Sequence, residues 1–299
     1  MSDRGGQDAD PFGETTDPGV YVARPASEAA VEAIARAVEA RRVPALVGPP
    51  GIGKTLLLHR AAARLAATTC WEPVHLPYAS LDADELCRWA LGLLGAPAAN
   101  APREALLARA KREASRGHGL LLAVDEASGL TRETGDCLSS LCWQAGGGLA
   151  AILAATDDAR ASRALAALGP DLEPIRYTAP FSEAETRDYV AGRLTQRSVS
   201  QELWQRFDDE AVAWIHRLSA GIPRRIHEVA ALLIDTPPEQ VCPAWWKECR
   251  STLESHAGET ELEGETLTAA RLLSVLEEEE PELWVAEDDE PGDLDLELD

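Results

Sequence analysis

No run of eighteen or more apolar residues occurs in the 299-residue sequence, which excludes a membrane-spanning helix of ordinary length. The opening MSDRGGQDADPFGE is polar and acidic and contains neither an apolar h-region nor a cleavage pattern, so it does not read as a secretory leader. Metal and disulfide chemistry are poorly provided for. The six cysteines, at 70, 87, 137, 142, 242 and 249, form no CxxC pair, and no histidines stand at zinc-ligand spacing. They read as reduced, mostly buried thiols, and Cys137 and Cys142, five residues apart on one expected helix, do not stack on a shared face. No internal repeat is present. These absences leave a soluble, cytoplasmic globular protein, for which 45% hydrophobic content supplies the core.

Basic charge is also scarce, and its distribution matters more than its sum. From Glu254 onward 18 acidic residues face the one basic residue Arg271, a net of −17 out of the chain's −23, so −6 remains for residues 1–253. The body of the protein is only mildly acidic, and a local basic face is not excluded by the total.

Residues 1–25 carry Gly, Pro, Asp and Thr without periodicity and read as an irregular leader. Ser27 precedes a helical pattern to about Ala40, and Pro44–Val47 reads as a short buried strand. A helix follows over Leu56–Ala66. Further strands are expected near Pro73–Pro77, Gly119–Val124, Leu149–Ala155 and Ile175–Ala179, with helices around 82–95, 102–115, 131–145 and 160–168. Short apolar strands alternating with helices predict a parallel sheet covered on both faces, so residues 26–180 are expected to form an α/β domain. Residues 181–236 pattern as a small all-α lid opened by a Ser182/Glu185 capping box. Residues 237–276 read as a helical extension, with helices at Pro243–Leu253 and Leu267–Leu276. Residues 277–299 have a charge density that cannot be buried and read as a disordered acidic tail.

Between the first strand and its helix stands Gly48-Pro49-Pro50-Gly51-Ile52-Gly53-Lys54-Thr55, a GxxxxGK[ST] loop, continued by Leu56. Glycines let successive backbone N–H groups turn toward a polyphosphate, and the following helix N-terminus adds a favourable dipole. Lys54 is expected to reach the β- and γ-phosphates of ATP, and Thr55 to ligate Mg2+. About 70 residues on, the apolar strand Leu120–Val124 ends in Asp125 and Glu126. Acids delivered at the C-terminal end of a buried strand reach the crevice where open α/β sheets bind ligands. Asp125 is expected to hold the metal through water, and Glu126 to orient and polarise the attacking water.

These motifs resemble the AAA+ ATPases, and more closely an ExeA/GspA-like branch associated with general secretion and related to the TniB and MuB transposition ATPases. The resemblance extends over roughly residues 10–236. Pro11-Phe12 with Asp17-Pro18 and Tyr21 is similar to that branch's N-terminal signature, and Phe181–Thr186 with Tyr189 to its motif after the sheet. Gly221-Ile222-Pro223-Arg224-Arg225-Ile226 resembles its sensor 2 segment. The resemblance implies that Arg224 contacts the γ-phosphate from the lid and that Thr156 occupies the sensor 1 position. It also implies an arginine acting across a subunit boundary, for which Arg176 is the first candidate and Arg160 and Arg163 the substitutes. Where the branch commonly shows DEAQ, this sequence reads Asp125-Glu126-Ala127-Ser128.

The function these readings favour is an ATP-driven switch, a homo-oligomer acting on a protein partner that the acidic tail could help to dock through Leu283-Trp284-Val285. A DNA-associated regulator of the TniB/MuB type is the alternative, with Arg41, Arg42, Arg60, Arg64, Lys111, Arg112 and Arg116 as contributors to a basic face. A nucleotide-gated interaction protein with little turnover is the third. Of the eight tryptophans, Trp89, Trp143, Trp204 and Trp214 lie in helical patterns and are expected in the core or at subdomain contacts.

Overall fold

A computed structural model describes residues 11–13 and 17–250. The chain falls into two compact units, residues 1–246 and 247–299, and the site lies in the first. The helix expected at Leu267–Leu276 and the acidic segment 277–299, with Trp284, lie outside the described residues.

Five parallel strands form one sheet: β1 (Val43–Gly48), β2 (Trp71–Leu76), β3 (Gly119–Val124), β4 (Leu149–Thr156) and β5 (Leu172–Arg176), in the order β2-β3-β4-β1-β5. Every residue of β1 and β3 is buried, which accounts for their unbroken apolar runs. Pro73 and Pro174 sit on the two edge strands, where a missing N–H costs no ladder bond on the outer side. The fifth strand begins three residues before the expected Ile175. Arg42 holds that early start by donating to the Leu172 carbonyl at 3.0 Å.

Alternation along the strands builds two cores. Leu46, Leu121, Ala123, Ile152 and Ala154 face α1 (Pro25–Glu39) and α2 (Lys54–Thr68). Val47, Leu120, Leu122, Val124 and Leu153 face the opposite layer, which comprises α3 (Ala83–Leu93), α4 (Pro102–Ser115), α5 (Arg132–Gln144) and α6 (Ala159–Ala166). Helix α1 starts at Pro25, whose fixed φ and missing N–H suit a first helical position. Ser27 is therefore inside the helix and does not cap it; its hydroxyl bonds the Tyr177 hydroxyl at 2.7 Å instead.

The helical region comprises α7 (Glu183–Gln196), α8 (Gln201–Gln205), α9 (Asp209–Ser219) and α10 (Pro223–Asp235), and residues 243–250 are also helical. The Ser182/Glu185 capping box is present at the start of α7. Two of the tryptophans expected in the core are not there: Trp143 is 81% exposed, and Trp204 is also exposed. Each lies on the solvent side of its helix, because Leu138 and Leu141 already fill the buried side of α5, and the five-residue α8 buries no residue. Trp89 packs against the core, and Trp214 stacks on Trp246 at 6.0 Å. The cysteines are also less buried than expected, with Cys70 and Cys242 exposed.

Residues 11–13, of the expected leader, are anchored to the helical region. Arg193 of α7, 1% exposed, donates to the Pro11 and Gly13 carbonyls at 2.8 and 2.9 Å. Phe12 packs on Phe207 with ring centroids 5.4 Å apart.

Candidate nucleotide-binding site

The loop between β1 and α2 leaves the sheet where β1 lies between β4 and β5, the crevice at which open α/β sheets take their ligands. Gly51 and Gly53 have φ of 76° and 97°, values that L side chains resist and that let the loop turn tightly ahead of α2. A Cβ at Gly53 would meet no atom within 4 Å, so the space beside this residue is open. Lys54 bends back across the loop, and its ammonium donates to the Gly48 and Pro49 carbonyls, each at 2.9 Å. Burial lowers the Lys54 pKa from its ordinary value. Glu126, Asp125 and Asp157 oppose that effect, and the Arg224 guanidinium adds to it. The charged groups that act on Lys54 therefore come from the ends of β3 and β4 and from α10.

Asp125 follows β3, is 8% exposed, and is held by its amide on the Leu76 carbonyl at 2.8 Å. Its carboxylate accepts the Glu126 amide at 2.9 Å. Glu126 is exposed and has φ 48°, ψ 40°, a left-handed conformation that is uncommon outside glycine and is recurrent at functional sites. Thr156 ends β4 directly opposite Gly48, and its amide donates to the Ser128 hydroxyl at 3.2 Å. Ser128 thus joins the turn after Glu126 to the Thr156 strand end. The Gly48 carbonyl accepts both Lys54 and the Asp157 amide, the latter at 3.1 Å, which ties the loop to that same strand end.

The helical region reaches the loop on a third side. The Arg224 amide donates to the Gly51 carbonyl at 3.2 Å, and a Cβ on Gly51 would lie 2.9 Å from that of Arg224. Arg176 at the end of β5 does not point into the sheet: it is 77% exposed and pairs with Asp157 at 3.4 Å. Arg160 and Arg163 lie on α6, where Arg163 donates to the Ala159 carbonyl at 3.1 Å. Leu56 continues α2 beyond Thr55. The structure thus gathers Gly48–Thr55, Asp125, Glu126, Thr156 and Arg224 around one crevice.

Sequence reasoning missed Arg24. It is 6% exposed and donates to Glu185 at 3.0 Å and to the Ala179 and Pro180 carbonyls at 3.1 and 3.2 Å. Its guanidinium lies 4.5 Å from the Phe181 ring centroid. One side chain thus grips the whole connection from sheet to lid. No local sequence signal marks it, because its partners lie more than 150 residues away.

Residues 36–161 match the family described as AAA domain, a stretch that contains the glycine loop, Asp125 and Glu126. Among solved structures, Cdc6p from Pyrobaculum aerophilum is similar at 15% identity and a TM-score of 0.54, covering 75% of this chain and 63% of that one. The Drosophila ORC bound to DNA is similar at 18% identity and a TM-score of 0.55, with coverage of 78% and 67%. The Holliday junction branch migration motor RuvB of Thermotoga maritima is a looser match, at 20% identity and 0.42, covering 68% and 60%. At these identities the likeness is one of fold. No curated protein matches the chain. Among the described residues, no helix is long and apolar enough to cross a membrane.

Proposed function

We propose that the chain is an ATP-binding and ATP-hydrolysing switch whose lid reports the state of the nucleotide. The observation that carries this reading is the convergence of Lys54, Asp125, Glu126 and the lid residue Arg224 on one glycine loop, with the lid hydrogen-bonded to that loop. In binding ATP, the Lys54 ammonium exchanges the Gly48 and Pro49 carbonyls for phosphate oxygens. Mg2+ would be held by the Thr55 hydroxyl and the Asp125 carboxylate, hard oxygen donors of the type this ion takes. It would supply neutralisation of charge on the phosphate oxygens. Glu126 accepts a proton from the attacking water, and its strained backbone fixes where the carboxylate stands.

Arg224 reads the γ-phosphate from the lid, and Thr156 does so from the end of β4. Loss of that phosphate removes the charge to which Arg224 is drawn, and α10 then keeps only its Gly51 hydrogen bond to the loop. Arg176 is the first candidate to act on a neighbouring subunit's nucleotide, since it stands exposed on the rim and can exchange Asp157 for phosphate. Such an arginine contributes about 10³-fold or more in rate. We read the active form as a cytoplasmic homo-oligomer acting on a protein partner, as in the ExeA/GspA-like branch. The DNA-associated reading is weakened by the arginines it would need. Arg42 pairs with Glu173, Arg64 with Glu28 and Glu32, and Arg116 with Glu113, while Arg60 lies over the Tyr21 ring.

Specific ATPase activity measured over a dilution series, with the assembly state recorded at each concentration, tests the shared-site mechanism. Activity per molecule is expected to rise with concentration, and Arg176→Ala subunits to depress mixed assemblies. Constant activity down to a demonstrated monomer would reduce the chain to a monomeric switch. DNA affinity that falls steeply with added salt would restore the DNA-associated reading.

A further inference from the structure

Strand β4 outruns its neighbour β3. The last pair of the β3–β4 ladder is Val124 with Leu153, and β4 continues through Ala154 and Ala155 to Thr156. Successive amides of a strand point to opposite sides. The Asp157 amide turns toward β1, where it donates to the Gly48 carbonyl at 3.1 Å, so the Thr156 amide turns toward the side that β3 has already left. A part-buried amide at a strand end still needs an acceptor. The half-buried Ser128 hydroxyl supplies it at 3.2 Å, two residues after Glu126. A side chain thus carries the β3–β4 ladder one step further, at the point where Glu126 leaves the sheet.

The turn that contains Ser128 has little freedom of its own. Glu126 opens it with φ 48° and ψ 40°, and the Glu126 carbonyl accepts the Gly129 amide at 3.0 Å. The Ala127 carbonyl accepts the Leu130 amide at 3.1 Å. Gly129 leaves no room beside it: a Cβ there would lie 2.4 Å from the Ser80 hydroxyl oxygen. The turn is therefore packed against the segment after β2 through Gly129 and bonded to the end of β4 through Ser128.

We propose that Ser128 is a positioning residue for ATP hydrolysis: its hydroxyl holds the Glu126 turn at a fixed place beside Thr156, so that the γ-phosphate met by Thr156 and the water oriented by Glu126 keep one geometry. The inference rests on the roles of Glu126 and Thr156 proposed above. Ser128 acts through a backbone amide, so its contribution falls on turnover and not on affinity, which Lys54 and the glycine loop provide. Removing the hydroxyl leaves the Thr156 amide without its acceptor and frees the turn from β4. Displacing a reacting group by about 1 Å can cost up to about 10²-fold in rate, so a partial release of Glu126 is expected to cost about 10-fold.

The test compares ATP binding and steady-state phosphate release in the full chain, Ser128→Ala and Ser128→Thr, with magnesium present. Ser128→Ala is expected to lower kcat about 10-fold while KM and ATP affinity stay within about twofold of the parent. Ser128→Thr keeps a hydroxyl and should recover to within about threefold of the parent. Ser128→Cys, nearly the same shape with a weak acceptor, repeats the first arm should Ser128→Ala fail to fold. Single-turnover release in the Glu126→Gln background gives a second readout: with the water-orienting carboxylate gone, Ser128→Ala should slow release no further. An unchanged kcat in Ser128→Ala would overturn the proposal. So would ATP affinity lost in step with kcat, a threonine variant no better than alanine, or the full loss persisting beside Glu126→Gln. A parent chain that binds ATP and releases no phosphate would overturn the hydrolysis reading itself, and this inference with it.

Discussion

The amide of Arg224 donates to the carbonyl of Gly51, so the first turn of α10 is hydrogen-bonded to the loop that would hold the phosphates. The seat is made by glycines. Gly221, just before α10, has φ 71°, and a Cβ there would lie 2.1 Å from the Phe181 carbonyl oxygen. Gly221→Ala must therefore strain the backbone and move it, at a cost of about 3 kcal/mol. Gly92, helical in α3, supplies the contrast, because a methyl added there would meet no atom within 4 Å: Gly92→Ala should stabilise by about 0.5 kcal/mol. Urea unfolding of both variants checks the pair, and equal midpoints would contradict the seat.

Arg24 governs the same joint from the other side. Removing it leaves the Ala179 and Pro180 carbonyls and Glu185 without their donor, and Arg24→Ala is expected to cost about 2–3 kcal/mol. Arg24→Lys keeps the charge but not the planar fork, and should recover only part of the loss. Protease cleavage between sheet and lid should quicken in the order parent, Lys, Ala. A lysine variant as resistant as the parent would show that charge alone suffices.

Acid sensitivity is set beside α2. The rings of His59 and His75 stack at 4.1 Å and 9°, and the buried His75 Nδ1 has no partner among the described residues. Burial lowers both pKa values below the ordinary 6.5; Asp125 opposes this at His59, and at His75 the His59 ring adds to it. The unfolded chain therefore binds more protons than the folded one as pH drops through 6.5. The stability these groups allow is complete above that pH and is lost as pH falls through the depressed folded values. Melting temperature should hold from pH 8 to about 7 and decline below about 6.5. His75→Leu should flatten that decline. An unchanged acid limb in the variant would place its origin elsewhere. Glu185, whose pKa is lowered chiefly by the Ser182 amide, contributes its loss separately, below the ordinary 4.5.

The sheet, its helices and the glycine loop were legible because each depends on contiguous residues. Val43–Gly48 and Gly119–Val124 are unbroken apolar runs, and the phosphate loop and the Asp125-Glu126 pair are short strings whose chemistry is local. What ties the helical region to the rest of the chain was not legible. Arg24 meets Glu185 161 positions later, and Arg193 meets Pro11 182 positions earlier, so neither has a neighbour in sequence that marks it. Ser27 looked like a cap because capping residues precede helices, but Pro25 took the first turn and the hydroxyl went to Tyr177. Trp143 looked buried because helical spacing places it beside leucines, yet α5 turns those leucines inward and this ring out.

In the proposed mechanism Lys54 and Glu126 divide binding from hydrolysis at one loop. The most direct measurement follows ATP binding and phosphate release together in the parent chain, Lys54→Ala and Glu126→Gln, with magnesium present. The parent should bind and release phosphate. Lys54→Ala should lose most of its affinity. Glu126→Gln should bind as the parent does, while release falls by about 10²-fold or more. Phosphate release by Glu126→Gln at the parent's rate would contradict the assignment of Glu126 as the water-activating group.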